Sequence, residues 1–178
     1  ESTFQLLQAV RKQVKLGSEI GKIAGEIMER GELVSDDVLF KIVQAELGEP
    51  TDKVFLLDGY PRNLSQSKAL DTLDETHPVK VAIELYVPQE ELIKRLSGRR
   101  VCADCGANYH VDMAPSKEAG KCDKCSGEVI QRKDDNPESV KVRLGVFEEN
   151  TKPILGYYEE KGILTRVDGQ GSSEEIFE

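Results

Sequence analysis

No stretch of the 178-residue chain approaches the ~20 consecutive apolar residues of a membrane span. Positive charge is not in excess either. Lys and Arg number 24 against 33 Asp and Glu, a formal charge of −9. That balance argues against non-specific nucleic-acid binding and against anionic membranes. Nucleotides stay open, because small phosphates are gripped by a few local arginines. The opening ESTFQLLQAVRKQ has neither the basic start nor the long apolar core of a signal peptide. It also lacks an initiator Met, so the natural start is expected elsewhere. No G-x-x-x-x-G-K-[ST] occurs, since the Gly-Lys pairs at 21–22 and 120–121 run into Ile23 and Cys122. There is no internal repeat and no low-complexity tract. The length, with 38% hydrophobic and 32% charged residues, suits one core with insertions.

The chain centres on VFLLDGYPR at 54–62. Val54 to Leu57 form a continuous apolar run, which predicts a strand buried on both faces. Asp58 stands at its C-terminal end, where open α/β sheets bind ligands. A carboxylate there can hold Mg²⁺ through water, and Arg62 just beyond can grip a phosphate. An ordinary turn after a strand is the plainer alternative. Upstream, a helix is expected within 4–16, ending near Gly17. A second starts at Ser18 with Ile20, Ile23, Ala24, Ile27 and Met28 on one face and Gly31 as its C-cap. A third opens at Ser35, carries Val38, Leu39, Ile42 and Val43 inward, and stops by Gly48. Downstream come a helix over 63–74, a buried strand over 81–87 and a helix from Pro88 to Gly98. Residues 99–135 turn rich in Cys, Lys, Asp and Gly, which marks an inserted subdomain. A long helix starts at Pro137 and breaks at Pro153, since Pro removes a donor and clashes with the preceding turn. A third strand is expected over 162–167 and a single helical turn over 174–178.

Cys102, Cys105, Cys122 and Cys125 form C-x2-C-x16-C-x2-C. Two such knuckles can set four thiolates tetrahedrally around Zn²⁺, a closed and therefore structural site. The insert has few apolar residues, so the metal would supply its folding energy. An iron–sulfur site and redox thiols are the alternatives. Metal spacing rather than a disulfide framework points to a reducing compartment. Arg11, Arg62, Arg95, Arg99, Arg132 and Arg143 lie at element ends or at the borders of the insert. Scattered arginines are usually solvated. Arg99 and Arg132, however, stand at the two hinges of a metal-stiffened insert, as in a lid that closes over phosphates and excludes water.

These residues carry a resemblance to adenylate kinase, a nucleoside monophosphate kinase with a zinc-type long lid. It runs from about Arg11 to Gly169 and rests on LDGYPRNLSQ at 57–66, GRRVC-x2-C at 98–105, NYH at 108–110, QRKDDNPESVKVRL at 131–144 and VDGQ at 167–170. The resemblance implies a three-layer αβα parallel sheet of the phosphate-loop NMP-kinase class. Its expected parts are an NMP-binding subdomain over 5–35, a core over 36–98 and 136–178, and a zinc-binding lid over 99–135. It implies ATP + AMP = 2 ADP, with Mg²⁺ and structural zinc, in a cytoplasmic monomer. Arg11, Glu32, Leu33, Val34, Gly59, Tyr60, Pro61, Arg62 and Gln66 match the AMP site. Arg95, Arg99, Arg132 and Arg143 match the arginines around the transferred phosphate. Arg99, Asn108, Tyr109 and the loop Gly169–Gly171 match ATP contacts. Asp58 and Asp134 match the carboxylates near Mg²⁺ and the lid hinge.

The family's first strand and phosphate loop have no counterpart in the sequence. Gln5-Leu6-Leu7-Gln8 fills the place of its S-T-G-D segment before Arg11. Without the loop's N–H groups and lysine, the rate is expected to fall by many orders of magnitude. Without the strand, only three strands are counted, and apolar sheet faces are expected to stand bare. A non-catalytic remnant that binds AMP or a protein is the alternative function. A zinc-knuckle interaction module is a third, and the arginine set weighs against it.

Overall fold

The computed structural model describes residues 2–30, 32–49, 54–171 and 173–177. It divides into two units, residues 1–82 with 150–165 and residues 83–149 with 166–178.

The first unit opens with a strand that the sequence reading did not contain. β1 (Ser2–Gln5) runs parallel to β2 (Phe55–Asp58), with Phe4 opposite Leu57 and Gln5 opposite Asp58. The helix expected from residue 4 therefore begins at Leu6. α1 (Leu6–Leu16) ends on Gly17, whose φ of 64° makes a left-handed cap. Ser18 caps α2 (Glu19–Glu29) by accepting from Gly21 N–H. The Gly31 expected as its C-cap lies outside the described residues; Arg30 ends the helix. A Cβ on Gly21 would lie 2.0 Å from the Gln13 carbonyl oxygen, so only glycine lets α2 approach α1 this closely. α3 (Asp36–Leu47), α4 (Leu64–Asp71) and α7 (Lys152–Glu160) complete the unit. Phe4, Leu6, Ala9, Val10, Ala24, Ile42, Val43, Leu47, Tyr60 and Leu70 form its core.

The second unit holds most of the pair β3 (Ala82–Tyr86) and β7 (Leu164–Asp168), with Gly169 N–H donating to Tyr86 O at 2.8 Å. α5 (Gln89–Gly98) leads directly into β4 (Arg99–Cys102). β5 (Asn108–His110) and β6 (Val129–Ile130) flank β4 in a three-stranded antiparallel sheet. A short 3-10 turn, Lys133–Asp135, precedes α6 (Pro137–Val146). The long C-terminal helix is interrupted, but just before Pro153 rather than at it. A π-turn, Phe147–Thr151, separates α6 from α7, and Pro153 sits in the first turn of α7, where its missing N–H costs nothing. α8 (Ser173–Phe177) is the terminal turn.

Burial on both faces of β2 and β3 is not found. β2 packs on the core through Phe55 and Leu57, while Leu56 is 56% exposed. On β3, Ile83 and Leu85 stand open in the same way. An apolar run is buried on both faces only where a layer covers each, and here one face is bare. Among the described residues, no helix is long and apolar enough to cross a membrane.

Candidate functional site

β4 ends on Cys102, and the chain reverses through Cys105 into β5. Gly106 N–H donates to Cys102 O at 3.1 Å, and Cys102 N–H donates to Ala107 O at 2.9 Å. The second knuckle repeats this pattern. Ser126 N–H donates to Cys122 O and Cys122 N–H to Gly127 O, both at 2.8 Å. The residue after each second cysteine is left-handed, Gly106 at φ 71° and Ser126 at φ 61°. Two matched turns thus bring four sulfurs within 4.8 Å of one another. Cys102 Sγ lies 3.4 Å from Cys125 Sγ, and Cys105 Sγ lies 3.5 Å from Cys122 Sγ. Zinc at about 2.3 Å from four tetrahedral sulfurs needs S···S separations of about 3.8 Å. Two separations fall just under that value and all lie within 4.8 Å, so the residues fit a structural zinc. The Tyr109 hydroxyl bonds Cys122 and, with backbone N–H groups of Lys124 and Cys125, holds its thiol down to about 6. That is the direction a thiolate ligand requires. The Cys125 thiol goes the other way: the Gly127 N–H draws it down, but hydrogen bonds to the other three sulfurs outweigh this and push it up to about 12. It is therefore the sulfur geometry that fits a metal.

At the base of this lid, three arginines meet two aspartates. Arg99 opens β4 and holds the fully buried Asp135 from the 3-10 turn. Its Nε donates to Oδ2 at 2.8 Å and its Nη2 to Oδ1 at 2.5 Å. Asp135 in turn raises the Arg99 guanidinium above its ordinary pKa. Arg143, in the last turn of α6, reaches Asp134 and Asp135, both at 3.4 Å. Arg132 clasps Asp134 through Nε at 3.1 Å and Nη2 at 3.2 Å. Burial works against ionisation of Asp134, yet its own N–H, Arg132 and Arg143 hold its carboxyl below the usual range. Gln131 Nε2 donates to Ser97 O at 2.9 Å and to Asp135 O at 3.1 Å, closing the hinge. Elsewhere in this unit, Arg95 pairs with Glu91 at 2.8 Å and donates to Gly169 O at 2.8 Å. That bond ties α5 to the loop that runs on to Gly171. Asn108 opens β5, and Tyr109 faces the second knuckle.

In the first unit, β2 delivers Asp58, whose Oδ2 accepts from Gln5 Nε2 at 3.3 Å. Gly59 follows at φ 78°, and the Tyr60–Pro61 peptide is cis. Arg62 folds its Nε onto Gly59 O at 2.7 Å. Its backbone N–H donates to the buried Gln66 Oε1 at 2.7 Å, and Gln66 Nε2 donates to Asp36 Oδ1 at 2.7 Å. Asn63 caps α4 by accepting from Gln66 N–H and donates to Asp36 Oδ2 at 3.0 Å. The loop from Gly59 to Gln66 is thereby clipped to the first turn of α3. Arg11 is exposed on α1. Glu32 pairs with Arg30 at 3.1 Å, Leu33 is 96% exposed, and Val34 packs on the core.

The structure thus brings Arg99, Arg132, Arg143 and Asp134 together, and Gly59 to Arg62 with Gln66. Sequence reasoning missed Asp135 as the buried partner of Arg99, and Asp36 as the anchor of Gln66. Adjacent acids in a row carry no mark of which one turns inward. It also missed that Tyr109 touches a cysteine.

A family model of adenylate kinase matches residues 3–163. An adenylate kinase of Archaeoglobus fulgidus is 46% identical over 171 residues, 94% of this chain and 79% of the relative. One of Thermodesulfovibrio yellowstonii is 46% identical over 179 residues, 99% of this chain and 82% of the relative. One of Caldanaerobacter subterraneus is 47% identical over 171 residues, covering 94% and 77%. With that match laid over a parallel α/β fold and a four-cysteine lid, the chain belongs to the adenylate kinase family of nucleoside monophosphate kinases.

Proposed function

We propose that this chain transfers a phosphoryl group reversibly between ATP and AMP, giving two ADP. The observation that carries the reading is the convergence of Arg99, Arg132 and Arg143 on Asp134 and Asp135. Three guanidinium groups against two carboxylates leave a net positive charge. The half-exposed bonds to Asp134 can give way to phosphate oxygens, while the bond to buried Asp135 keeps Arg99 aimed. Phosphoryl transfer asks for such positioning and neutralisation more than for a covalent nucleophile.

In this reading Arg95, Arg99, Arg132 and Arg143 neutralise the phosphates, and Asp134 keeps Arg132 and Arg143 in place at the lid hinge. Arg62 takes the AMP phosphate, with Arg11 beside it in that role. Gly59, Tyr60, Pro61, Gln66 and the exposed backbone of Glu32, Leu33 and Val34 hold the rest of AMP. Asn108, Tyr109 and the loop Gly169–Gly171 contact ATP. Mg²⁺ would supply further charge neutralisation on the phosphates, and the exposed carboxylate of Asp58, at the end of β2, suits holding it through water. Residues 5–35 serve as the NMP-binding subdomain, 36–98 and 136–178 as the core, and 99–135 as a lid that excludes water. The protein works as a cytoplasmic monomer on small nucleotides.

The test is ADP formation from ATP, AMP and Mg²⁺, by the chain alone and by the chain mixed with a synthetic strand–G-x-x-x-x-G-K-[ST]–helix segment. ADP in either arm that disappears with Arg99→Ala supports the reading; none in both arms overturns it. Arg62→Ala is expected to weaken AMP binding more than ATP binding, and equal losses would mean that the AMP site is misassigned.

A further inference from the structure

Among the described residues, one side-chain hydrogen bond reaches a cluster sulfur from outside the cysteines. The Tyr109 hydroxyl oxygen lies 3.2 Å from Cys122 Sγ, and it accepts the Asp123 N–H at 2.7 Å. We propose that Tyr109 is a positioning residue of the metal centre, donating its O–H to the Cys122 thiolate and setting how tightly the lid holds zinc. The inference rests on the zinc reading of the four cysteines.

The direction of the bond follows from the chemistry. A metal-bound thiolate has no proton, so it can only accept. The Asp123 N–H already occupies one lone pair of the phenol oxygen, which leaves the phenol's own proton for the sulfur. Lys124 N–H approaches the same sulfur at 3.4 Å and the Cys125 N–H also bonds it, so Cys122 draws on three donors. Four thiolates around a dication leave two negative charges in excess, and donors to sulfur disperse them. The bond also spans the lid. Tyr109 lies in β5, opposite Arg100 of β4, the strand that ends in the first knuckle. Cys122 and Asp123 belong to the second knuckle. One hydroxyl therefore pins the second cysteine pair to the sheet that carries the first. Removing such a partner of a ligand typically weakens metal binding about 10- to 100-fold.

The experiment compares zinc affinity of the full wild-type chain and of Tyr109→Phe, by competition with a chromogenic chelator at fixed pH. Val111→Ala, just past the same strand, serves as the control. Tyr109→Phe is expected to bind zinc about 10- to 100-fold more weakly, with Val111→Ala unchanged. Loading both Tyr109→Phe and wild type with Co²⁺ separates a bond to sulfur from a general loss of fold. The thiolate-to-cobalt charge-transfer band should shift in the variant. Equal zinc affinity overturns the proposal, and so does weaker binding with an unshifted cobalt band. A wild-type chain without any thiolate-to-cobalt band would instead overturn the zinc reading itself.

Discussion

Arg99 and Asp135 form a two-pronged ion pair in which the aspartate side chain is fully buried and the arginine side chain is about three-quarters buried. The neighbouring pair of Arg132 and Asp134 has the same fork geometry but stands half in solvent. Removing one partner of a buried pair strands the other, at about 3 kcal/mol, whereas exposed pairs contribute little. Asp135→Ala should therefore lower the urea stability of the zinc-loaded chain by about 3 kcal/mol, and Asp134→Ala by far less. Equal losses from the two variants would show that burial does not rank them.

Gly98 and His110 set the angle at which Arg99 leaves α5. A Cβ on Gly98 would lie 2.2 Å from His110 Nε2 and 2.4 Å from its Cε1. The ring cannot retreat easily. Its Nδ1 accepts the N–H groups of Asp112 and Met113, both at 3.1 Å, which leaves the proton on Nε2, 3.4 Å from Lys94 O. Gly98→Ala should cost about 1–3 kcal/mol by overpacking. The double variant Gly98→Ala with His110→Ala should be more stable than the sum of the two single losses predicts. Additive losses in a double-mutant cycle on urea unfolding would reject the clash.

Much of this was legible because caps and periodicity are local. Ser18 before an apolar stripe and Gly17 after one announce their helices whatever surrounds them. The Cys-x2-Cys spacing announces its turn in the same way. β1 was not legible. Its four residues, STFQ, carry no alternating pattern, and what makes them a strand is β2, more than fifty residues away. The open face of β2 was misjudged for a related reason, since a run such as VFLL states what could be buried and not whether a layer arrives. Asp135 escaped because Asp134 has the same side chain and only the 3-10 turn decides which one points inward.

Asp71 and Lys161 predict how stability of the first unit depends on pH. Lys161 Nζ lies 2.5 Å from Asp71 Oδ1, and the Tyr157 hydroxyl donates to the other oxygen. Burial pulls the Asp71 carboxyl upward, but Lys161 and Tyr157 hold it below its ordinary range. The hydrogen bond to Asp71 raises Lys161 above its own. A depressed carboxylate stabilises above its unfolded value, about 3.9, and that contribution is lost as pH falls through the folded value. A raised lysine stabilises below about 10.4, and its contribution is lost as pH rises through the folded value. The pair should contribute a plateau between these limits. Melting temperature measured from pH 3 to 6 should fall more steeply toward acid in wild type than in Asp71→Asn. Parallel curves would show that other carboxylates carry the acid limb.

Ser126 occupies the position in the second knuckle that Gly106 occupies in the first. Both are left-handed, at φ 61° and 71°, and both donate N–H to the first cysteine of their turn. For a residue with a Cβ that conformation costs roughly 1–2 kcal/mol, while glycine loses about 0.5–1 kcal/mol more backbone entropy on folding. Ser126 is exposed, so its replacement removes no core packing. Ser126→Gly should therefore stabilise the lid by about 0.5–1 kcal/mol, and Gly106→Ala should weaken it by a similar amount. Urea unfolding of the zinc-loaded chain, followed by capture of the released metal with a chromogenic chelator, reads this subdomain directly. A lower midpoint for Ser126→Gly would mean that the serine side chain earns its place through a contact that outweighs the backbone strain.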